Sequence, residues 1–252
     1  KRSYFKTCVV GEAIDTIFLI NVACLLKGVA FKRFGRPRLG FLVSSGVIDS
    51  MVNHYTANLR LRSNDAYTAG GKAGFRPDRT IDTYTQILKK LYPHTPVVVG
   101  GIEASLRRLT HYDYWSDKLR SSILETSGAD LLVYGMGDKP IREVAKAMRN
   151  GFNMKLLRGL RQVGFMADKE YVERLYNGKT IVLNSYEECL KDKTKFGKNF
   201  TEIETLSNMM ECNTTLVEQT GDRYVVITPP HETLTTEELD YSFDLPYERA
   251  PH

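Results

Sequence analysis

Short apolar runs alternate with longer amphipathic stretches along the chain. The short runs predict strands at residues 16–20, 38–44, 96–99, 130–134, 180–183 and 224–228. The longer stretches predict helices near residues 49–59, 78–91, 116–125, 138–149 and 201–220. Regular alternation of strand and helix is typical of an α/β fold, in which a doubly wound, mostly parallel sheet is covered by helices on both faces.

Three segments fall outside this alternation. Residues 60–76 form a long polar loop, and loops of that length are usually functional or mobile. Residues 189–198 have the composition of a charged loop. Pro229 and Pro230 end the last strand, because proline cannot continue a hydrogen-bonded ladder. The sequence therefore predicts one α/β domain over residues 1–228, followed by an extended acidic arm over residues 229–252.

The turn after the predicted strand 96–99 combines the strongest chemical signals. Gly100 and Gly101 follow the strand directly, and glycine permits positive φ or a close approach of the backbone to a ligand. Ligands of open α/β sheets bind beyond the carboxyl ends of such strands. A dense set of polar and aromatic residues comes next, and the candidate site consists of Gly100, Gly101, Glu103, Ser105, Arg107, Arg108, His111, Asp113, Tyr114 and Trp115.

Two long segments resemble the N-terminal region of the YgiQ-type radical SAM proteins. They are SSGVIDSMVNHYTANLRLRSNDAYTAGGKAGFRPDRT at residues 44–80 and VVVGGIEASLRRLTHYDYWSDKLRSSILETSGADLLVYGMGDKPIREVA at residues 97–145. The resemblance is nearly gap-free from residue 34 to about residue 151, looser to residue 196, and returns in LPYERAPH at residues 245–252. The family's GDAYVDHPSFG-like loop has no counterpart here. The abrupt joins at residues 20–21 and 31–32 fit either a short version of the protein or a sequence from which loops are missing.

The resemblance implies that the full-length protein cleaves S-adenosylmethionine reductively at a [4Fe–4S] cluster to make a 5′-deoxyadenosyl radical. Such a cluster needs three cysteines spaced CxxxCxxC. Cys8, Cys24, Cys189 and Cys212 lack that spacing, so neither the cluster nor S-adenosylmethionine is expected on this chain. The cluster-binding core is expected to follow residue 252 and to be the partner of this domain.

The glycine turns GG and GxGD, which follow two consecutive predicted strands, resemble those of the cobalamin-binding-type domains ahead of many radical SAM cores. A flavodoxin-like sheet is therefore expected. The cobalamin-ligating pattern DxHxxG is absent, because His54, His94 and His111 do not have its spacing. Cobalamin is accordingly not expected as a cofactor.

The resemblance and the residue types together suggest roles for the candidate site. The glycines would give backbone approach, while Glu103, Arg107 and Arg108 would hold charged groups of a small-molecule or macromolecular substrate. Asp113, Tyr114 and Trp115 would shape the pocket wall, and His111 could relay a proton. The alternative for the charged residues is a buried ion-pair network that ties the helix to the sheet.

Charge leaves a second function open. The net charge is +5, but residues 32–120 carry 15 Lys and Arg against 7 Asp and Glu. With the interleaved aromatic residues, this balance keeps a non-catalytic RNA- or nucleotide-binding module as the alternative to a substrate-contacting accessory domain. An RNA surface would spread Arg36, Arg60, Arg76 and Arg108 over one open face.

Composition adds two expectations about location. No run approaches the roughly 18 apolar residues of a membrane span, so no membrane partner is expected. Four scattered cysteines are typical of reduced thiols, which predicts a cytoplasmic protein.

Overall fold

The computed structural model describes residues 6–8, 17–20, 29–32, 35–46, 48–65, 68–175 and 179–245. Its strands are β1 Lys6–Cys8, β2 Ile17–Ile20, β3 Gly40–Val43, β4 Val97–Val99, β5 His111–Asp113, β6 Lys118–Arg120, β7 Leu131–Val133, β8 Val163–Ala167, β9 Thr180–Val182, β10 Thr215–Thr220 and β11 Arg223–Ile227. Its α-helices are α1 Val29–Lys32, α2 Ser50–His54, α3 Thr80–Leu91, α4 Gly101–Leu106, α5 Ile123–Ser127, α6 Asp138–Arg149, α7 Lys169–Leu175, α8 Tyr186–Lys191, α9 Lys193–Ser207 and α10 Thr236–Phe243.

The described strands form a nine-stranded sheet in the order β1-β2-β3-β4-β7-β8-β11-β10-β9, and β5 and β6 form a separate hairpin. Strands β2, β3, β4 and β7 are parallel to one another. Strands β7, β8, β11 and β10 pair antiparallel, and β9 is parallel to β10. The α/β class is confirmed, and the parallel half, flanked by helices, is compatible with the expected flavodoxin-like fold.

Alternate residues of the central strands point into two hydrophobic clusters, one on each side of the sheet. Val97 and Val99 pack with Ile81 and Leu88 of α3 in the first cluster. Val98 belongs to the second cluster, which includes side chains of α6 and β8. Because both faces are covered, the central strands are buried throughout, as their unbroken apolar sequences predict.

The second half of the chain departs most from the sequence prediction. Residues 189–198 are not a loop, because a capping box between Ser185 and Glu188 begins α8 and Asp192 caps α9. The helix expected over residues 201–220 ends at Ser207, and residues 215–220 form strand β10. The helix expected over residues 116–125 is replaced by β6 and the short helix α5. Strand β8, with five buried residues, had no predicted counterpart.

The acidic arm is extended only in part. Thr235 and Glu238 form a second capping box, and it begins helix α10 where an extended segment was expected. Residues 246–252 and Asn21 of the join at residues 20–21 lie outside the described residues, whereas Phe31 and Lys32 lie within α1. Within the described residues, no helix has the length and apolar character needed to cross a membrane.

Gly164 in β8 tests how tightly the sheet and its helices are packed. A Cβ atom there would lie 2.7 Å from Ile227 Cδ1 and 3.4 Å from Leu124 Cδ1. We expect Gly164→Ala to lower the free energy of unfolding by roughly 1–3 kcal/mol, because overpacking forces core side chains out of place. Gly197→Ala is the control, since a Cβ atom on this α9 residue meets nothing within 4 Å. It should stabilise the protein by roughly 0.5–1 kcal/mol. Urea unfolding measures both, and equal effects would contradict the packing described.

Candidate functional site

The carboxyl ends of the parallel strands β3, β4 and β7 lie at one edge of the sheet, here called the carboxyl edge. Gly100 N donates a hydrogen bond of 3.0 Å to Val43 O at the end of β3. Gly101 has φ +83°, and a Cβ atom on it would lie 3.3 Å from Ser44 Cβ. Both facts favour glycine at position 101, as the sequence suggested. The turns after β3 and β4 are therefore in close contact.

Glu103 is the most deeply enclosed member of the candidate site. Its side chain is fully buried on the inner side of α4. Oε2 accepts hydrogen bonds from Ser50 N at 3.0 Å and Ser50 Oγ at 2.5 Å, both in α2. Oε1 accepts from Ile81 N of α3 at 3.5 Å and lies 3.2 Å from Arg107 Nη1. One carboxylate thus joins three helices.

One further ion pair extends this buried network, and another lies at the end of β5. Arg107 Nη2 lies 2.6 Å from Asp49 Oδ2, and Asp49 also caps α2. Asp113 at the end of β5 pairs with Arg79 at 2.7 Å and accepts hydrogen bonds from Ser116. Burial alone would raise the pKa of Asp113, but the hydrogen bonds from Arg79 and Ser116 outweigh it and lower that pKa to about 2. The carboxylates of Glu103 and Asp113 and the guanidinium of Arg107 are therefore engaged inside the protein.

Arg108 and Ser105 lie farther out on the same edge. Ser105 Oγ accepts from Gly135 N at 3.0 Å, which connects α4 with the turn after β7. Arg108 Nη1 donates to Ser105 O at 2.6 Å, and its guanidinium lies 5.2 Å from the centre of the Tyr134 ring. Its Nε is buried without a hydrogen-bond partner among the described residues. Arg108 thus presents a partly desolvated cation that faces no carboxylate at ion-pair distance in the described part of the chain.

The aromatic members of the site follow α4. His111 Nδ1 lies 3.1 Å from Leu109 O, so Nδ1 donates and Nε2 is an acceptor. Burial lowers the pKa of His111 to about 4, which makes the ring neutral at pH 7. Tyr114 is half exposed and stacks edge to face on Trp115, whose Nε1 is buried without a described partner. Neither His111 Nε2 nor Trp115 Nε1 has a hydrogen-bond partner among the residues that the structure describes.

The loop over residues 60–76 contributes a buried cluster that the sequence did not indicate. Asp65 lies 2.8 Å from Arg76 Nε and 3.3 Å from His54 Nε2, and Arg76 Nη1 donates to Ser45 O at 2.9 Å. These contacts attach the loop to the turn after β3. Because Arg76 is buried, the four arginines proposed for an RNA surface do not share one open face.

A structural role for Gln162 was also not predicted from the sequence, because no recognisable motif surrounds this residue. It has φ +60°, and its Nε2 donates to Tyr134 O at 2.7 Å and to Met136 O at 2.6 Å. Its Oε1 accepts from His231 N at 3.1 Å. The turn after β7 is thereby tied to the segment that follows β11.

Glu218 in β10 holds the segment between α4 and β5. Its Oε1 accepts hydrogen bonds from Thr110 N at 2.9 Å and Thr110 Oγ1 at 2.8 Å. The side chain is fully buried, and Oε2 has no hydrogen-bond partner among the described residues. Burial raises the pKa of Glu218 to about 7, with repulsion from Glu187 and Glu125 as a smaller cause.

The described residues do not fit an iron–sulfur cluster. They contain no group of three or more His, Cys, Asp or Glu side chains that could hold a metal ion. Cys189 and Cys212 are buried free thiols. Burial raises the pKa of Cys189 to about 11, whereas cluster ligands are thiolates.

The sequence matches a protein-family profile and several proteins of one family. The family profile described as radical SAM N-terminal matches residues 24–252. A UPF0313 protein of Porphyromonas gingivalis is 51% identical over 229 residues, which cover 88% of this chain and 35% of the relative.

Two further UPF0313 proteins are similar. That of Bacteroides thetaiotaomicron is 48% identical over 231 residues, covering 88% of this chain and 37% of the relative. That of Clostridium botulinum strain Okra is 42% identical over 257 residues, covering 98% of this chain and 38% of the relative. The chain thus spans little more than a third of these curated relatives. No solved structure gives a significant match.

The adjacent residues Arg107 and Arg108 should respond differently to truncation. Arg107→Ala removes the partner of two buried carboxylates, and we expect it to cost roughly 3–5 kcal/mol of unfolding free energy. Arg108→Ala removes one hydrogen bond and one ring contact, for which we expect roughly 1–2 kcal/mol. Arg107→Met keeps most of the side-chain volume and should still show the large loss. Similar urea midpoints for the two alanine variants would contradict the described pairing.

The buried carboxyl group of Glu218 predicts a pH dependence of stability. Its pKa of about 7 in the folded protein lies above the ordinary value of 4.5, so the folded state holds the proton more tightly. The contribution of this group to the free energy of unfolding is fully present below pH 4.5. It is lost at about 1.4 kcal/mol per pH unit as the pH rises from 4.5 through 7. Glu218→Gln should remove this component. Unfolding curves of the protein and the variant from pH 4.5 to 7.5 measure it, and parallel profiles would contradict the assignment.

Proposed function

The chain belongs to the radical SAM N-terminal family, and from this membership we propose that it is the N-terminal domain of a longer radical SAM enzyme and contributes substrate contacts at the carboxyl edge. The [4Fe–4S] cluster and S-adenosylmethionine would belong to the C-terminal core of that protein. This division is supported by the sequence, in which Cys8, Cys24, Cys189 and Cys212 lack the CxxxCxxC spacing. It also agrees with the relatives, whose length is almost three times the matched region.

The observation that carries the proposal is the position of Arg108 at the end of α4, beside the Tyr134 ring that follows β7. The Ser105 hydroxyl connects α4 with the turn after β7, and Gly101 at the start of α4 lies against the turn after β3. Arg108 lies beside this junction, partly shielded from water. A guanidinium in that setting favours a planar anionic group, such as a carboxylate or phosphate, which it can bind through two parallel hydrogen bonds.

The inner site residues take supporting roles in this proposal. Gly100 and Gly101 allow the substrate to approach the backbone. Glu103 and Arg107, whose charged groups are already paired, position α4 beneath Arg108 and Ser105.

The aromatic segment forms the outer boundary of the proposed site. Asp113 fixes the hairpin that carries Tyr114 and Trp115, and these two side chains form the pocket wall. His111, neutral at pH 7, offers Nε2 as a hydrogen-bond acceptor to a substrate donor. In this proposal, each residue of the candidate site either contacts the substrate or positions a residue that does.

The test uses the longer protein, reconstituted anaerobically with iron and sulfide. We expect Arg108→Ala to lower 5′-deoxyadenosine formation in the presence of cell extract by roughly tenfold to a hundredfold, because a charged hydrogen bond to the substrate is lost. Arg108→Lys keeps the charge without the planar fork and should restore part of the activity. Iron content and thermal melting show whether the cluster and the fold remain intact.

The matched control is Arg174→Ala, on the exposed surface of α7. It removes an arginine of equal charge from an element outside the carboxyl edge and should leave turnover unchanged. Unaltered 5′-deoxyadenosine formation in Arg108→Ala, at the same iron content as the unchanged protein, would overturn the proposed substrate contact.

A further inference from the structure

Helix α10 exposes apolar side chains in the described part of the chain. None of its residues is buried, although Leu239 and Phe243 lie in it and Leu245 follows its end. An eight-residue helix without apolar burial gains little stability from its own hydrogen bonds. The exposed apolar side chains of α10 therefore indicate a partner beyond the described residues.

The contacts of α10 with α6 are polar or electrostatic. Lys139 Nζ lies 2.9 Å from Glu238 Oε1, and the Arg142 guanidinium lies 4.8 Å from the centre of the Tyr241 ring. Both α6 residues belong to the first turns of that helix. These contacts hold α10 beside the start of α6, while Leu239 and Phe243 remain exposed.

Three more apolar side chains are exposed on elements that connect to this helix. Ile102 and Leu106 lie on the outer side of α4, and Met136 lies in the turn after β7. The hydrogen bond from Gly135 N to Ser105 Oγ holds that turn against α4, and α6 begins two residues after Met136. The docking surface is defined as Ile102, Leu106, Met136, Leu239, Phe243 and Leu245.

We propose that this docking surface packs against the radical SAM core that follows in the longer protein. Single exposed apolar residues are common, but a group of them along connected elements is typical of an interface. The inference rests on the proposed function, because it takes this chain to be the N-terminal domain of such a protein.

The position of α10 favours the following domain over any other occupant. Leu245, which follows the end of α10, is itself part of the docking surface. In the relatives, most of the polypeptide lies outside the matched region, which covers 35–38% of their length. A domain that follows in the same polypeptide has a high effective concentration at such a surface, which favours intramolecular contact over a second copy or a separate protein.

The first test measures protection of the docking surface in the longer protein. Leu106→Cys and Phe243→Cys are labelled with a maleimide, and the modified peptides are quantified by mass spectrometry. We expect both positions to react roughly tenfold or more slowly than an exposed reference, because packed side chains react only after local opening. Phe152→Cys is the reference, since Phe152 is an exposed apolar residue after the far end of α6. Equal labelling rates at the three positions would overturn the proposal.

The second test identifies the occupant. A photoreactive phenylalanine analogue in place of Phe243 is irradiated in the same longer protein. Crosslinks within one polypeptide, to peptides that follow residue 252, are the expected result. Crosslinks to a second copy, or to another protein added from a lysate, would overturn the assignment to the core. Neither readout depends on turnover, so failure here is distinguishable from failure of the Arg108 substrate contact.

Discussion

The carboxyl edge depends on one buried carboxylate, that of Glu103. It accepts hydrogen bonds from α2 and α3 while it belongs to α4, and Arg107 connects it to Asp49 at the start of α2. A buried ion pair adds little net stability, because desolvation offsets much of the attraction. Its effect lies in geometry, since its hydrogen bonds and ion pair fix α2, α3 and α4 relative to one another.

The contacts of Glu103 explain why the consecutive side chains of Arg107 and Arg108 have different surroundings. Arg107 points into the network and has two carboxylates within ion-pair distance. Arg108, the next residue, lies over the Tyr134 ring at the edge of the sheet. Successive positions at the end of a helix face different directions. The inner arginine thus holds the helix, whereas the outer arginine has no carboxylate at ion-pair distance among the described residues.

The sequence predicted the local features of this site and missed the distant ones. The run Val97 to Val99 followed by two glycines predicted the strand and its turn correctly, because both signals are local. The partners of Glu103 could not be predicted, since Ser50 is 53 residues away along the chain. Strand β10 was mistaken for a helix because its apolar residues continue the helical spacing of α9. The segment forms a strand because it pairs with β11, which is a contact that the local sequence does not reveal.

The sheet order also governs how the chain can be divided. Strand β7 lies between β4 and β8, and residues 163–227 supply β8, β9, β10 and β11. A truncation near residue 151, where the strong resemblance ends, would leave β7 as an open edge and remove Val163 and Phe165 from the second hydrophobic cluster. It would also remove the Glu218 carboxylate from Thr110. A variant that ends there would lose these contacts, so deletion variants should retain the strands through β11.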